Sequence, residues 1–599
     1  MIPRSLPMSP LLRILALLLA VVPVLRAQWL TQPVELRPGW NAVQFHVDLS
    51  YAKLDTLIGS DASNPVEEVW LWTPAVGTAQ FVQSPQVPTA TISQWSSWKR
   101  ALGPASELHS LPPNATCLVK LGAVGTNYTL RLKGRPVPPR NQWTATGLNF
   151  LGFPVVAGEG VAIDSFFNPA GDLLRELELY RYNTGELDAG NPARVFALRT
   201  TKLRRGEAYW VKAGEQFNRY FAPFEVVLQD PRGVVFGRRT GEQRIRLRNR
   251  STRTVTVTLA MVSSEAAPSG QAAVVGEPPL LLRGAMNTTN LAFSHSAITK
   301  TNGGSWTLTP VGQPDSDIEV VLGLDRYVMG GNEGDVFAAI LQFTDSLGLA
   351  RLDIPVAAEA GSWSGLWIGD AEVTGVRHSL ARYVRGTNGT TVLGPDGRPV
   401  RLESMDSLGP VARPFPVRVL VHVEGTNAFL LQRAYVGLDA STNRVVALRE
   451  DLLGTSTLSS ARRLSSVYFP WSATNQPWAF NGRFVRDGVV ETRVLLPYND
   501  HRSNPFLHTY HPDHDTLDAG FSQALPRGRE SWDVSRLVRL RIRPPGTDFR
   551  SLTAASDRID GAYEEVIDFL GSGSDSRTYD ISGSLVLRRV SDVPVLTRN

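Results

Sequence analysis

Residues 38–45 read Pro38-Gly39-Trp40-Asn41-Ala42-Val43-Gln44-Phe45, and residues 146–153 read Thr146-Gly147-Leu148-Asn149-Phe150-Leu151-Gly152-Phe153. Both run glycine, apolar residue, asparagine, then a β-like row. Two further blocks follow in the same order. Glu68-Val69-Trp70-Leu71-Trp72 matches Glu178-Leu179-Tyr180-Arg181-Tyr182, each with two aromatics spaced by two. Leu111 to Lys120, ending Cys117-Leu118-Val119-Lys120, matches Leu203 to Lys212, ending Tyr209-Trp210-Val211-Lys212. The offset is near 110 residues for the first two blocks and about 92 for the last. The first copy therefore carries an insertion, placed around Trp95 to His109. Shared order with one change of length is what duplication followed by loop growth leaves behind.

The copies read as β structure. Residues two apart lie on the same face of a strand, so Trp70 and Trp72 share a face, as do Tyr180 and Tyr182. Such a row serves either as a platform for sugar rings or as a core face, and the core is favoured because aromatics supply much of a small core's buried area. Trp95 and Trp98 fall in the insertion and are expected to be exposed. With Trp363 and Trp367 they are the candidate carbohydrate-binding aromatics. The pattern of GWN, an aromatic strand and L-x-x-G-x-x-Y-W-V resembles small β modules in exported proteins of environmental bacteria. The resemblance covers roughly residues 34–226 and implies no activity.

The N-terminus reads as a secretory signal over residues 1–27. Arg4 and Arg13 flank the apolar run Ile14 to Val22, and Ala27 supplies a small residue for cleavage before Gln28. The run is shorter than the roughly 20 apolar residues of a spanning helix. The expected location is therefore secreted, extracellular or at the cell surface, with the periplasm as an alternative and no membrane span after cleavage. Arg4, Arg13 and Arg26 lie in that segment with no acid to offset them, so its removal takes the formal charge from +5 to near +2. That balance gives no electrostatic footprint for nucleic acid. Cys117 is the single cysteine, which excludes an internal disulfide, a CxxC redox pair and a thiolate zinc site. Its Ala-Thr-Cys-Leu-Val context reads as a buried strand.

The length implies several domains. The expected organisation is all-β. It comprises a first β module over 28–139, its copy over 140–226, an Ig-like β-sandwich over 227–360, and a jelly-roll or barrel-like domain over 361–599. Arg244 to Asn249 and Thr254 to Leu259 alternate with strict period two. Val336 to Phe343 and Ala350 to Val356 flank a turn at Ser346-Leu347-Gly348. Such spacing argues for a sandwich. The segment resembles the Ig-like spacers of exported bacterial proteins, without the Cys–Trp–Cys signature of antibody-type domains. In the last domain, Val417 to Val423 pairs with Ala428 to Tyr435 across Glu424 to Asn427. Asp487-Gly488 signals a type I′ hairpin. Ala562 to Leu570 fits either a strand or a helix.

The densest set of ionisable side chains is the loop 498–518, with His501, His508, His511, Asp513, His514 and Asp515 as candidate metal ligands. Imidazole and carboxylate together suit zinc or another first-row ion, so a divalent metal is the candidate cofactor. Pro505 and Pro512 disfavour the helix that would align histidines three apart. The competing reading is a structural loop held by Asx-type backbone bonds. The segment resembles an NPF-x-H-x-YHPDHD stretch in exported multidomain proteins of unknown activity, and the resemblance implies no catalytic residues. Gly361-Ser362-Trp363-Ser364-Gly365 is not a nucleophile elbow, since Trp363 stands where serine is needed. No phosphate loop, HExxH or EF-hand pattern occurs. The leading expectation is an exported non-enzymatic protein for adhesion, scaffolding or ligand binding, with polysaccharide or other surface proteins as partners. The alternatives are a metal-binding protein or metal-dependent hydrolase centred on the histidine-rich loop, and a carbohydrate-binding protein.

Overall fold

The computed structural model describes residues 28–593, apart from 75–80, 89–93, 123–126, 140–143, 145, 184, 189, 215–219, 385, 389, 391, 396–399, 406–408, 439–444, 449–461, 469–476, 498–532, 544–545, 555–556 and 571–574. It is an all-β, multidomain protein built from sheets that are antiparallel except where Val234–Gly237 and Val274–Gly276 pair in parallel, with short helical turns. Two compact units form. One comprises residues up to Ala285, Ser294–Leu324 and Gly331–Ala360; the other comprises Met286–Phe293, Asp325–Gly330 and the chain from Gly361. Among the described residues no helix is long and apolar enough to cross a membrane.

In the first unit the two repeat copies have the same sheet topology. The first orders its strands Gly39–Gln44, Thr116–Leu121, Val66–Trp72, Trp95–Lys99. The second orders them Asn149–Gly152, Ala208–Lys212, Glu178–Arg181, Ala193–Arg194. The shared asparagine explains the sequence motif. Asn41 Nδ2 donates to the carbonyls of Arg37, Gly39 and Val119, and its Oδ1 accepts from Arg37 N–H. Asn149 makes the same set with Thr144, Gly147 and Val211. One amide thus folds the entry loop and ties it to the neighbouring strand, a local role suited to asparagine.

Period two divides the rings between three cores. Trp40, Trp95, Leu118, Phe150, Tyr182 and Trp210 form a shared core between the copies, with Trp70, Trp72 and Tyr180 packed against it. The opposite face of the first sheet, including Val69, Leu71, Trp98, Cys117 and Val119, packs on a three-stranded sheet of Leu30–Leu36, Tyr128–Pro136 and Val47–Asp48. The opposite face of the second packs Phe153, Leu179, Tyr209 and Val211 against Phe166 and Phe167 of the short helix Ile163–Phe167.

The insertion in the first copy is not an exposed loop. It builds the edge strand Trp95–Lys99, where the second copy has only Ala193–Arg194. On a strand, positions three apart face opposite ways, so Trp95 enters the shared core and Trp98 the outer one. The expected exposure of both is thereby corrected.

Residues 224–359 supply two sheets. One is ordered Phe224–Leu228, Glu242–Asn249, Asp317–Leu324, Leu280–Asn287, Ala292–Ala297. The other is ordered Val234–Gly237, Arg351–Glu359, Val336–Asp345, Val255–Ser263, Ser305–Leu308, with Val274–Gly276 also on Val336–Asp345. Glu242–Asn249 and Val255–Ser263 are consecutive but belong to different sheets. The crossing is held by Asn249, which donates to the carbonyls of Arg253, Leu308 and Thr309 and accepts from Ser251.

Among the described residues the second unit is built on a nearly closed barrel of nine strands, with Arg401–Met405 also paired to Gly365–Tyr383 and a separate three-stranded sheet of Val445–Leu448, Arg433–Leu438 and Arg462–Tyr468. The order is Trp478–Ala479, Asn427–Leu431, Gly409–Glu424, Gly365–Tyr383, Asp575–Ser591, Arg558–Leu570, Asp533–Arg543, Val489–Leu496, Asn481–Gly482. The first and last strands in this order are separated in sequence by Phe480 alone. Its N–H donates to Ala428 carbonyl at 2.8 Å, and its ring is buried among Trp367, Val421, Leu430, Val490, Leu540 and Leu587. The ambiguous Ala562 to Leu570 segment is strand. The hairpin at Asp487-Gly488 forms, pairing Asn481 with Glu491. Its turn is not type I′, which needs positive φ at both central residues; of Arg486 and Asp487, only Asp487 has it, at 55°.

Candidate functional site

Where the repeat copies meet, backbone bonds join them edge to edge. Trp40 N–H donates to Gly185 carbonyl at 2.9 Å and Gln44 N–H to Gly206 carbonyl at 3.0 Å. Gly39 is required at this seam. Its φ is +84°, and a Cβ there would lie 2.5 Å from Gly185 O. Buried Gln44 completes the join. Its Oε1 accepts from Thr116 Oγ1 and from Gly152 N–H, while its Nε2 donates to the carbonyls of Phe45 and Asn114.

Beside the seam lies a cleft of about 780 Å³. Its walls come from strand Leu30–Leu36, strand Gly39–Gln44 with His46, the turn Ala157 to Glu159, Arg181 to Asn183, Arg204 to Glu207, and Arg351. Five guanidinium groups line it, from Arg37, Arg181, Arg204, Arg205 and Arg351, against the carboxylates of Glu35, Glu159 and Glu207.

The carboxylates are already engaged. Glu207 holds Arg181 through two bonds, Nε at 2.7 Å and Nη2 at 3.1 Å, and accepts from Tyr209 OH at 2.8 Å. Burial, and then the Glu207 charge, push the Tyr209 phenol well above its usual pKa, so it stays a donor. Glu159 pairs with Lys202 and Glu35 accepts from Thr129.

Behind the wall, Asp353 serves two guanidiniums. Arg205 Nη2 donates to its Oδ2 at 2.7 Å and Arg351 Nη2 at 3.1 Å, while Gln342 donates to Oδ1. Burial, only partly offset by Asp353 and reinforced by Arg351, pulls Arg205 down to about 10, which leaves it charged at neutral pH. His46 sits next to this pair. Burial first, and then the charges of Arg205 and Arg351, hold its imidazole well below its usual pKa and therefore neutral. Two atoms here are shielded from solvent and lack a hydrogen-bond partner: His46 Nε2 and Arg351 Nε. Buried polar atoms are normally satisfied, so an orphan pair at a cleft wall is a feature to explain.

The residues singled out in the sequence lie elsewhere. Trp95, Trp98 and Trp367 are 5%, 1% and 0% exposed. Trp98 Nε1 donates to Asp55, and Trp367 lies under Arg589, its Nε1 bonded to Trp363 carbonyl. Trp363 is half-buried on the barrel core, touching Tyr327 and Phe484 edge-on. Trp95, Trp98 and Trp367 offer no open ring face for a sugar, because each is buried in packing; for these three the assignment is corrected. His501, His508, His511, Asp513, His514 and Asp515 lie outside the described residues, in the segment joining the adjacent barrel strands Val489–Leu496 and Asp533–Arg543. Among the described residues no group of three or more metal-ligating side chains gathers. Sequence reasoning missed the cleft. Its only trace was the arginine-glycine run Arg204-Arg205-Gly206-Glu207 inside the third repeat block.

No protein-family model matches the chain, and no curated protein does. Among solved structures, the chain is similar to one from Bacteroides ovatus described as a structural genomics target of unknown function. The two are 8% identical, the match covers 61% of this chain and 95% of that chain, and the TM-score is 0.18.

Proposed function

We propose that the protein is an exported, non-catalytic ligand-binding protein, and that the cleft at the seam of the two repeat copies is its ligand site. The observation that carries this reading is the cleft itself: a concavity of about 780 Å³ lined by charged side chains, the exposed Arg204 among them. Small-molecule sites are typically concave, largely pre-formed, and of about 300–1,000 Å³. Duplication supports it, since two modules joined edge to edge create a crevice neither has alone. In this reading residues 227–360 act as an Ig-like spacer, and the N-terminal segment directs export.

The test is a thermal-shift screen of the full chain against small metabolites and oligosaccharides, repeated with Ala157→Trp. Ala157 is exposed on the cleft wall, so an indole there fills the space without entering a core. The reading requires at least one compound that stabilises the parent and not the variant. Stabilisation by every hit in both proteins would overturn it. Export is tested separately, by N-terminal sequencing of secreted protein, with Gln28 as the expected first residue.

A further inference from the structure

Resting on the reading of the cleft as a ligand site, we propose that its ligand carries an anionic group, a carboxylate or phosphate, held by the guanidiniums of Arg204 and Arg351. The charge count of the wall comes first. Five arginines and three glutamates line it, with Asp353 behind as a fourth carboxylate, and each of the three glutamates is bound to a partner within the protein. Asp353 gives one carboxylate to two guanidiniums, Arg205 and Arg351, so one positive charge there is uncompensated.

The unengaged donors come second. Arg204 lines the cleft, is exposed, and makes no ion pair among the described residues. Arg351 lines the cleft with its side chain 24% exposed, and it spends Nη2 on Asp353. A guanidinium is a rigid fork of donors matched to carboxylate and phosphate oxygens. A low-dielectric cleft lined by excess charge of one sign concentrates ligands of the other.

Citrate and inorganic phosphate are the probes, titrated calorimetrically into the full chain at constant ionic strength. Saturable binding is expected, at least tenfold weaker in Arg204→Gln and in Arg351→Gln, and falling as sodium chloride rises. Arg204 is exposed and its one bond to the core, to Tyr209 OH, is made by its backbone N–H, so its variant remains informative if Arg351→Gln misfolds. Absence of saturable binding by both probes overturns the proposal, as does unchanged affinity in Arg204→Gln. Ala157→Trp and a neutral probe, N-acetylglucosamine, separate the two levels of the argument. If only the neutral sugar binds, and Ala157→Trp abolishes it, the anion assignment falls and the cleft reading survives. If citrate binds equally to parent and Ala157→Trp, the cleft reading itself falls.

Discussion

Gln44 and Gly152 occupy equivalent positions in the two repeat copies, and they touch: Gly152 N–H donates to Gln44 Oε1 at 3.1 Å. The divergence of this position is a consequence of the join. One copy supplies the amide and the other must vacate the space, since a Cβ on Gly152 would lie 2.5 Å from Gln44 Cβ and 2.7 Å from Glu207 O. Gly152→Ala is therefore expected to destabilise the first unit by at least about 2 kcal/mol, as small-to-large changes in packed sites do. Gln44→Gly in the same chain should recover part of the loss, because it removes Gln44 Cβ and Cγ but not the contact with Glu207. Chemical denaturation of the three variants measures this. Additive losses would show that the two residues do not compete for the space.

Trp72 and Trp210 come from different copies and meet edge to face, with centroids 5.1 Å apart, while Trp210 stacks on Phe150 at 4.9 Å. The two modules share this core and should not fold independently. Trp210→Ala is expected to cost about 3–5 kcal/mol. In a double-mutant cycle with Trp72→Ala, the coupling should be about 0.5–1.5 kcal/mol. An isolated fragment of residues 28–139 giving a cooperative unfolding transition would contradict the shared-core account.

How much of this was visible beforehand follows from the range of the interactions. Asn41 and Asn149 act on neighbours within five residues and on the next strand, so the motif is readable as a repeated word. Trp70 and Trp72 turn inward as their spacing of two requires. Trp95 and Trp98 were misplaced because the insertion was judged by length alone. Their spacing of three on a strand sends the rings to opposite faces, and Phe150, one of Trp95's partners, lies in the other copy. The cleft was illegible for a similar reason. Arg205 and Arg351 converge on Asp353 from positions 146 residues apart, and no local pattern records that meeting. Closure of the barrel was equally hidden, since it depends on two-residue strands on either side of Phe480.

The barrel carries a buried ion pair, Arg536 with Glu565, whose carboxylate also accepts from Tyr563 OH at 2.7 Å. Burial alone would lower the Arg536 pKa; the Glu565 charge and hydrogen bond, with Tyr563, outweigh it and raise the value. Removing one partner leaves a charge stranded in the interior. Glu565→Leu should cost about 3–5 kcal/mol, whereas Glu565→Leu with Arg536→Leu should be much nearer neutral. Thermal unfolding of the single and double variants checks this. A double variant as unstable as the single would mean that the pair matters for more than mutual neutralisation.

The last expectation concerns pH, and its direction follows from His46. Its folded-state pKa lies well below the ordinary imidazole value of 6.5, through burial and then through Arg205 and Arg351. Above pH 6.5 the imidazole is neutral in both folded and unfolded chains, and its contribution is fully present. As the pH falls below 6.5, the unfolded chain takes up a proton that the folded chain refuses. Stability should then fall by up to about 1.4 kcal/mol per pH unit until the folded-state pKa is reached. Arg205 stays charged throughout this window, so it does not offset the loss. His422 is depressed by burial in the second unit and acts in the same direction there, which makes the comparison with a variant essential. Denaturant unfolding of parent and His46→Gln between pH 5 and 8, on the order of three half-unit steps each side of 6.5, should show a shallower acid limb for the variant in the transition of the first unit. Parallel limbs would mean that His46 takes up its proton as readily in the folded protein as out of it, and that the charges facing it are screened.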